Sequence, residues 1–228
     1  MSEYRLGNRL ASAAALVREG AYLADVGTDH AYLPIALMKE GRISAAICSD
    51  INKGPLERAK DHVAESGLSG RVELMLAPGA SAIAGRGVTD VAICGMGGEL
   101  IASIINDAPY LKDKDINLVL QPMSKVEALR AYLWDNGFDI VREIYSVDDG
   151  KYYVCFSAHY TGEKSDYTEP ELYFGRNISA ALLTESGRAY VENKLASLRR
   201  AAEGKRAGGD PSPSEMVILE QVEKLLKG

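Results

Sequence analysis

The chain has 228 residues, and 46% of them are hydrophobic, which suffices for one large domain with a proper core or for one domain with an appendage. No apolar run approaches the length that crosses a bilayer and no apolar signal core precedes the first helix, so we expect a cytoplasmic protein without a membrane partner. The net charge of −6 argues against general nucleic-acid affinity. The three cysteines (Cys48, Cys94 and Cys155) have no metal-ligand spacing, so we expect reduced, buried thiols and no bound metal.

Apolar residues at helical spacing predict a first helix over residues 6–19. Five strands then alternate with four helices. The strands are predicted near 22–26, 45–50, 71–76, 89–94 and 116–120, and the helices near 31–40, 53–66, 98–106 and 124–136. Gly41, Gly67 and Gly137 follow three of these helices, as C-terminal stop signals do. This alternation is typical of a parallel sheet with helices on both faces.

The pattern changes after residue 137. Two strand-like runs, 138–147 and 151–160, are joined by Asp148-Asp149-Gly150, which is a strong hairpin signal. An α/β sheet of five parallel strands that ends in an antiparallel pair resembles the Rossmann-like sheet of the class I S-adenosylmethionine (SAM)-dependent methyltransferases. Helices predicted over 178–203 and 214–227 follow. We therefore expect an α/β domain over 1–160 and a C-terminal helical hairpin over 161–228.

The first strand ends in Asp25-Val-Gly27, and a helical pattern follows at once. Gly27 lets the backbone turn tightly and approach a ligand, and Asp25 can orient the loop or receive a ligand's ammonium group through water. Asp50 ends the second strand, where an acid is placed to accept two ribose hydroxyls. These positions favour an adenosine-bearing ligand. The alternative is that both acids only cap the turns that they open.

The glycine pattern of dinucleotide-binding loops is incomplete in this loop, because Asp29 and Tyr32 occupy the two later glycine positions. The Asp29 carboxylate would repel a pyrophosphate but tolerate a ligand with a cationic end. SAM has a sulfonium and an ammonium group. The electrostatics therefore favour SAM over a nicotinamide dinucleotide, and the incomplete glycine pattern argues against a dehydrogenase.

Two further strand ends carry candidate site residues. The fourth strand ends in Gly95-Met96-Gly97-Gly98, which predicts a floor of bare backbone for a substrate, or else an ordinary flexible turn. The fifth strand ends in Gln121-Pro122, and the Gln121 amide offers both a donor and an acceptor to a base edge.

Four motifs now stand in order along the chain. They are Asp-Val-Gly-Thr-Asp-His-Ala-Tyr-Leu-Pro at 25–34, Gly-Met-Gly-Gly at 95–98, Leu-Gln-Pro at 120–122 and Asp-Asp-Gly-Lys-Tyr-Tyr at 148–153. Together they resemble the bacterial tRNA adenine-N1 methyltransferases that modify nucleotide 22, and the resemblance runs from about residue 5 to 228. It implies a Rossmann-like catalytic domain, SAM as methyl donor and tRNA as substrate.

The resemblance implies cofactor-binding residues at the strand ends. We expect them at Asp25, Gly27, Thr28, Asp29, Asp50, Ile51, Pro78, Gly79, Gly95, Met96 and Gly97. Pro78 departs from the family pattern, because family members resemble one another in carrying an acid there that binds the adenine amino group. We therefore expect unusually weak SAM binding.

Asp29, His30 and Tyr32 are the catalytic candidates. Adenine N1 already has a lone pair, so alignment outweighs base catalysis, and Asp29 would accept from the adenine N6 amine. His30 has the alternative of packing at the helix start, and Tyr32 that of filling the core instead of stacking on the base. His62 is expected to be solvated.

Basic residues concentrate on the stretch 188–206, which indicates either a phosphate-contacting face or a solvated helix face. The expected substrate-binding residues are Arg5, Arg9, Gly98, Gln121, Pro122, Arg199 and Arg200. We expect a monomer or a weak homodimer. Two other functions stay open: a class I methyltransferase acting on a small metabolite or protein, and a catalytically silent SAM- or RNA-binding module.

Overall fold

The computed structural model describes residues 5–210 and 213–227, which build a seven-stranded sheet flanked by helices. The strands are β1 (Tyr22–Val26), β2 (Ala45–Asp50), β3 (Val72–Leu76), β4 (Asp90–Gly97), β5 (Asn117–Ser124), β6 (Phe138–Asp148) and β7 (Lys151–Tyr160). Their order is β3-β2-β1-β4-β5-β7-β6. The first five strands are parallel, and β7 pairs antiparallel with both β5 and β6. The predicted fold class is confirmed.

Four helices connect the parallel strands or lead from them to the hairpin, one helix precedes the sheet, and four more follow it in the described part of the chain. They are α1 (Asn8–Ala14), α2 (Tyr32–Lys39), α3 (Lys53–Glu65), α4 (Gly98–Asn106), α5 (Val126–Asp135), α6 (Glu169–Phe174), α7 (Ile178–Ala181), α8 (Glu185–Ala207) and α9 (Ser214–Lys227). Short 3₁₀ turns cover Ser81–Ile83 and Pro109–Lys112. Gly41, Gly67 and Gly137 have φ of 74°, 72° and 79°, so the stop signals occupy the left-handed region that glycine tolerates.

Strands β4 and β5 extend three and four residues beyond their predicted ends, and three further differences concern the helices. The first helix ends at Ala14, because the following chain turns so that the Arg18 backbone and guanidinium bind the buried Asp90 at 3.0 and 2.8 Å. The polar stretch after 161 contains α6, whose Thr168 and Glu171 form a reciprocal capping box. The helical run at 178 is interrupted, because the Thr184 side chain caps a new helix, α8.

Helices cover both faces of the sheet. One buried cluster joins the sheet to α1, α2 and α3 through residues such as Ala13, Ile35 and Val63. The other joins it to α4, α5, α8 and α9 through residues such as Ile101 and Leu129. The inner parallel strands β1, β2, β4 and β5 are buried on both sides over most of their length, which explains their nearly continuous apolar runs, whereas the edge strand β3 is partly exposed.

The C-terminal helices share the core of the sheet. Val191 of α8 and Val222 of α9 belong to the same buried cluster as Val154 and Phe156 of β7. Arg199 pairs with Glu223, and Lys205 with Glu215, so the two helices run in opposite directions. The helical hairpin is therefore present, and the division into 1–160 and 161–228 stays a proposal. None of the helices in the described ranges combines the length and apolarity that a bilayer crossing requires.

Candidate active site

A cavity of about 320 Å³ opens at the C-terminal ends of β1 and β4. Because ligands of open α/β sheets bind beyond the carboxyl ends of the strands, this is the expected place for a site. The lining residues are Arg9, Leu10, Asp25, Gly27, Thr28, Asp29, His30, Ala31, Tyr32, Leu33, Cys94 and Gly95. The fold thus brings the predicted β1–α2 loop residues together with Gly95 and Arg9.

A larger cavity of about 510 Å³ lies along β6, between that strand and the segment of α7 and the start of α8. It shares no lining residue with the first cavity, and none of the predicted site residues lines it. Size alone therefore does not identify the site. The smaller cavity is the one at which the chemistry-bearing side chains converge.

The β1–α2 loop is held close to the neighbouring strand. The N–H groups of Gly27 and Thr28 both donate to the Ser49 carbonyl, at 2.7 and 3.0 Å. Gly27 has φ of +76°, and a Cβ there would overlap the Cε of Met96. Ala31, which precedes α2, also has a left-handed φ of 55°. For a residue with a Cβ, that conformation costs roughly 1–2 kcal/mol, so the loop stores some strain beside the cavity.

Asp25 holds this loop through hydrogen bonds. Its side chain is buried, and its Oδ2 accepts a hydrogen bond of 2.6 Å from the Thr28 hydroxyl. The Thr28 Oγ1 in turn accepts from the Ala31 N–H at 3.2 Å. Burial raises the pKa of Asp25 to about 6, and the bond from Thr28 opposes that rise. The structure therefore supports the loop-orienting role of Asp25.

Asp29 stands at the mouth of the cavity with a side chain that is 60% exposed. Its Oδ1 accepts from the Arg58 guanidinium, from Nε at 3.0 Å and also from Nη2. Its Oδ2 lies 3.3 Å from Nε2 of His30. The sequence did not indicate Arg58, because residue 58 lies on α3, far along the chain.

Three rings cluster beside Asp29. The centroid of the His30 ring lies 4.9 Å from those of Tyr32 and His62, and the latter two are 5.2 Å apart. The Nδ1 of His62 is also 3.2 Å from the His30 carbonyl oxygen. The expectation of a solvated His62 is therefore wrong. Tyr32 remains 40% exposed, so its ring is available on the cavity side and is not a core filler.

The next strand ends lie along the same edge of the sheet, outside the lining of the cavity. Asp50 pairs in register with Leu76, which brings Pro78 and Gly79 close to the end of β2. The Oδ1 of Asp50 accepts from the Asn52 N–H at 2.7 Å, so the turn-capping role of this acid is observed. Ile51 and Pro78 are exposed, and Gly79 has φ of 58°.

Two of the expected substrate contacts are instead internal. Gln121 is fully buried, and its Oε1 accepts from Arg9 at 2.6 Å and from the Gly95 N–H at 3.1 Å. Its Nε2 donates to the Pro122 carbonyl at 3.0 Å and approaches the sulfur of Met123 at 3.7 Å. As all donors and acceptors of the amide are used, Gln121 presents none to a base, and the expectation that it reads the substrate is corrected. Pro122 is also buried.

Gly98 is likewise a packing residue and not an open floor. It is buried, and a Cβ there would overlap the carbonyl oxygen of Lys125. The bare-backbone surface is limited to Gly95, which is exposed, and to Gly97, which is half-buried. Met96 places its methyl group over Gly27.

Arg9 lies inside the site. Its backbone N–H donates to Asp148 Oδ2 at 3.2 Å, and its guanidinium lies 6.0 Å above the Tyr153 ring. It is thereby placed to neutralise an anionic group of a ligand in the cavity. Arg5 is exposed, four residues before it.

The basic face of α8 is partly neutralised within the protein. Lys194 pairs with Glu127, and Arg199 and Lys205 pair with acids of α9. Within the described ranges, no ion pair is formed by the other three arginines of the stretch, Arg188, Arg200 and Arg206.

Cys94 was not anticipated as a site residue, but it lines the cavity. Burial raises the pKa of its thiol to about 12, so it is neutral at physiological pH. Cys48 and Cys155 are buried and unpaired. Within residues 5–210 and 213–227, no group of three or more His, Cys, Asp or Glu side chains is arranged to hold a metal ion.

Comparison with known proteins identifies the family of this chain. A family model described as a methyltransferase domain matches residues 6–156. The tRNA (adenine(22)-N(1))-methyltransferase of Bacillus subtilis is 30% identical over 192 residues, which are 84% of this chain and 81% of that protein.

Two solved structures cover almost the whole chain. A Streptococcus agalactiae protein of the NADB-Rossmann superfamily is 32% identical, covers 97% of both chains and has a TM-score of 0.85. A candidate tRNA (m1A22) methyltransferase of Streptococcus pneumoniae, solved with S-adenosyl-L-methionine, is 29% identical, with a TM-score of 0.83 over 97% of this chain and 100% of that one. The chain therefore belongs to the class I methyltransferases, in the family of the bacterial tRNA (adenine-22-N1)-methyltransferases.

Proposed function

We propose that this protein transfers a methyl group from SAM to N1 of the adenine at position 22 of tRNA. The observation that carries the proposal is the charge layout of the cavity. Asp25 and Asp29 stand on either side of the Gly27 turn, and Arg9 lies in the same lining. A donor with a cationic centre and a carboxylate has complementary partners there.

The residues at the strand ends fit this donor. The Gly27 turn leaves backbone without a side chain where the donor must approach, and Arg9 is placed for the carboxylate of its amino-acid end. Ser49 of β2 pairs with Val26 at the end of β1, and Asp50 is the next residue. An acid at this strand end is placed to accept hydrogen bonds from two ribose hydroxyls. When bound, SAM supplies an electrophilic methyl group on its sulfonium.

Asp29 and Tyr32 would hold the target base. We assign Asp29 to accept a hydrogen bond from the adenine N6 amine and Tyr32 to stack on the ring with its exposed face. N1 needs no deprotonation before it attacks, so the residues act mainly by alignment. Alignment can contribute about 7–11 kcal/mol, whereas general-base assistance contributes about 3–5 kcal/mol. The cationic product then loses an N6 proton, which Asp29 is placed to take.

The substrate surface must also hold a folded RNA. The target base has to leave its stack before N1 can reach the cavity. The exposed Arg5 and the arginines of α8 that have no ion pair within residues 5–210 and 213–227 are the candidates for contacts to the phosphate backbone, which position the RNA without reading its sequence.

The decisive assay incubates the purified protein with isotope-labelled SAM and an unmodified tRNA transcript, followed by nucleoside analysis. We expect 1-methyladenosine in the wild-type transcript and none in a transcript that has guanine at position 22. Methylation of the guanine-22 transcript would contradict the assigned position. Absence of methylation in both transcripts would favour one of the other two functions.

Those two functions separate in a further step of the same assay. A methyltransferase for small metabolites or proteins would label another component of a cell extract while leaving tRNA unlabelled. A silent module would bind SAM or tRNA stoichiometrically with no product in either arm.

A further inference from the structure

We propose that Arg58 is a positioning residue that orients the carboxylate of Asp29 for the methyl-transfer step. The inference rests on the proposed function. It adds a residue of α3 that neither the motifs nor the resemblance indicated.

The two carboxylate oxygens of Asp29 have different hydrogen-bond partners. Nε and Nη2 of Arg58 both donate to Oδ1, so that oxygen has two donors already. Because a carboxylate oxygen accepts about two hydrogen bonds, Oδ1 has little capacity left for a substrate. Within residues 5–210 and 213–227, the ion-pair partner of Oδ2 is Nε2 of His30, at the longer distance of 3.3 Å. Oδ2 is therefore the oxygen that would accept from the adenine amine.

One face of α3 packs against the β1–α2 loop, which carries Asp29 and His30. Arg58 and His62 are four residues apart, so they project from the same side of the helix. Arg58 holds Asp29, while His62 contacts the rings of His30 and Tyr32. One helix thus supports all three catalytic candidates, and the contacts of Arg58 are directed at the Asp29 carboxylate.

The ion pair of Arg58 and Asp29 is well exposed, so its effect on catalysis can be measured without a large effect on stability. The side chains of Arg58 and Asp29 are 49% and 60% exposed. Ion pairs of this kind contribute little to folding, so their loss should leave the unfolding midpoint unchanged. An exposed aspartate without its partner samples several rotamers, and a small misplacement of a substrate-positioning group lowers the rate strongly.

The test measures methylation of tRNA by Arg58→Gln, Arg58→Lys, Asp29→Asn and the double variant Arg58→Gln/Asp29→Asn. We expect Arg58→Gln to lower kcat at least tenfold with the KM for SAM unchanged. Arg58→Lys keeps the charge but only one donor group, so its kcat should be intermediate. The double variant should be no slower than Asp29→Asn alone, because Arg58 acts through that carboxylate.

Arg86→Gln is the matched control, since Arg86 forms a similarly exposed ion pair with Glu73. Arg86 precedes β4 in the chain, so it lies at the end of that strand opposite to the cavity. Its kcat should equal that of the wild type. Circular dichroism and the unfolding midpoint check that each variant is folded, and Arg58→Lys keeps the comparison open if Arg58→Gln does not fold.

A wild-type kcat in Arg58→Gln would overturn this inference and leave the proposed function intact. The same holds if the fold-losses in kcat of Arg58→Gln and Asp29→Asn multiply in the double variant. A fully active Asp29→Asn would overturn both this inference and the catalytic role of Asp29. Failure of the wild-type protein to methylate tRNA would overturn the proposed function itself, and it is visible before any variant is made.

Discussion

Arg130 and Glu143 form an ion pair in the interior, where the Nε and Nη2 groups of the arginine both donate to Oε1 of the glutamate, at 3.0 and 2.7 Å. Arg130 is fully buried, and its Nη1 donates to the Leu172 carbonyl at 2.8 Å. The hydroxyl of Tyr145 donates to the other oxygen, Oε2, at 2.8 Å. The pair therefore joins α5 and β6 to α6, at the start of the C-terminal region.

Removal of one partner of this pair should destabilise the whole fold. In Arg130→Met the Glu143 carboxylate, whose side chain is only 12% exposed, loses its cation, and the loss of one partner of a buried pair typically costs about 3–5 kcal/mol. Urea unfolding followed by circular dichroism measures the free energy. The double variant Arg130→Met/Glu143→Leu should recover much of the loss, because no buried charge is then left unpaired.

The same experiment has a surface control. Arg86→Met breaks an exposed pair with Glu73 and should leave the unfolding midpoint unchanged. A similarly small effect of Arg130→Met would show that the buried pair does not hold the region together. A single unfolding transition would support a C-terminal region that folds with the sheet, whereas two transitions would support independent units.

Much of the fold could be predicted because its signals are local. Strand β1 is an apolar run that ends in an acid and a glycine, and β2 ends in Asp50, so both bounds coincide with the prediction. The hairpin follows from Asp149-Gly150, where both residues have positive φ. The cavity at the ends of β1 and β4 follows from topology, since all parallel strands end at one edge of the sheet.

The parts of the site that could not be predicted depend on tertiary contacts. Gln121 could as well have pointed outward, because strand periodicity does not say which partners a polar side chain at the strand end will find. The same holds for Arg58, which meets Asp29 across 29 residues of chain. The concentration of basic residues located the basic stretch of α8, but only the packing of α9 shows that Arg199 is already paired.

Asp25 should make the stability of the protein depend on pH. Its pKa is about 6 in the folded state against an ordinary 3.8, so the folded protein retains a proton that the unfolded chain releases. The protonated form is favourable below pH 4, and that contribution is lost as the pH rises through about 6. The two-unit difference corresponds to about 3 kcal/mol.

Asp25→Asn removes this titration, so the comparison is made between pH 4 and pH 8. Relative to the wild type, the variant should gain about 2.5 kcal/mol over that range in urea unfolding, because at pH 4 more than half of the unfolded chains have already released this proton. Thr28→Val, which removes the hydrogen bond that lowers the Asp25 pKa, should enlarge the loss of stability with rising pH. An unchanged difference between wild type and Asp25→Asn at the two pH values would contradict the burial effect.

Pro78→Asp should strengthen SAM binding. Pro78 is exposed beside the end of β2, where the Ala77 N–H donates to the Asp50 carbonyl at 3.0 Å. A carboxylate at this place can accept from the adenine amino group, and a hydrogen bond to a charged acceptor contributes about 1.5–3 kcal/mol. The dissociation constant from calorimetry should therefore fall roughly ten- to a hundredfold.

Two related variants separate charge from loss of the proline ring. Pro78→Asn offers a neutral acceptor and should give a smaller gain, and Pro78→Ala should give none. Equal affinities of the Asp and Ala variants would show that the cofactor's amino group is bound elsewhere. Circular dichroism should show the same fold in all three.

Arg200 is the sharpest probe of the proposed RNA-binding face. Arg199 is held by Glu223 at 2.8 Å, whereas Arg200 is exposed and has no ion pair among residues 5–210 and 213–227. If Arg200 contacts a phosphate, Arg200→Gln should weaken binding of every tRNA equally. The slope of log affinity against log salt should also become shallower by about 1, since one fewer counterion is released.

Titrations of tRNA at several salt concentrations measure that slope for Arg200→Gln, Arg199→Gln and the distant control Arg86→Gln. We expect the largest change for Arg200, because Arg199 must give up its pairing with Glu223 before it can serve the RNA. Arg86→Gln, at the N-terminal side of β4, should match the wild type. Equal slopes in all four proteins would remove α8 from the RNA interface and leave the exposed Arg5 as the candidate for a phosphate contact.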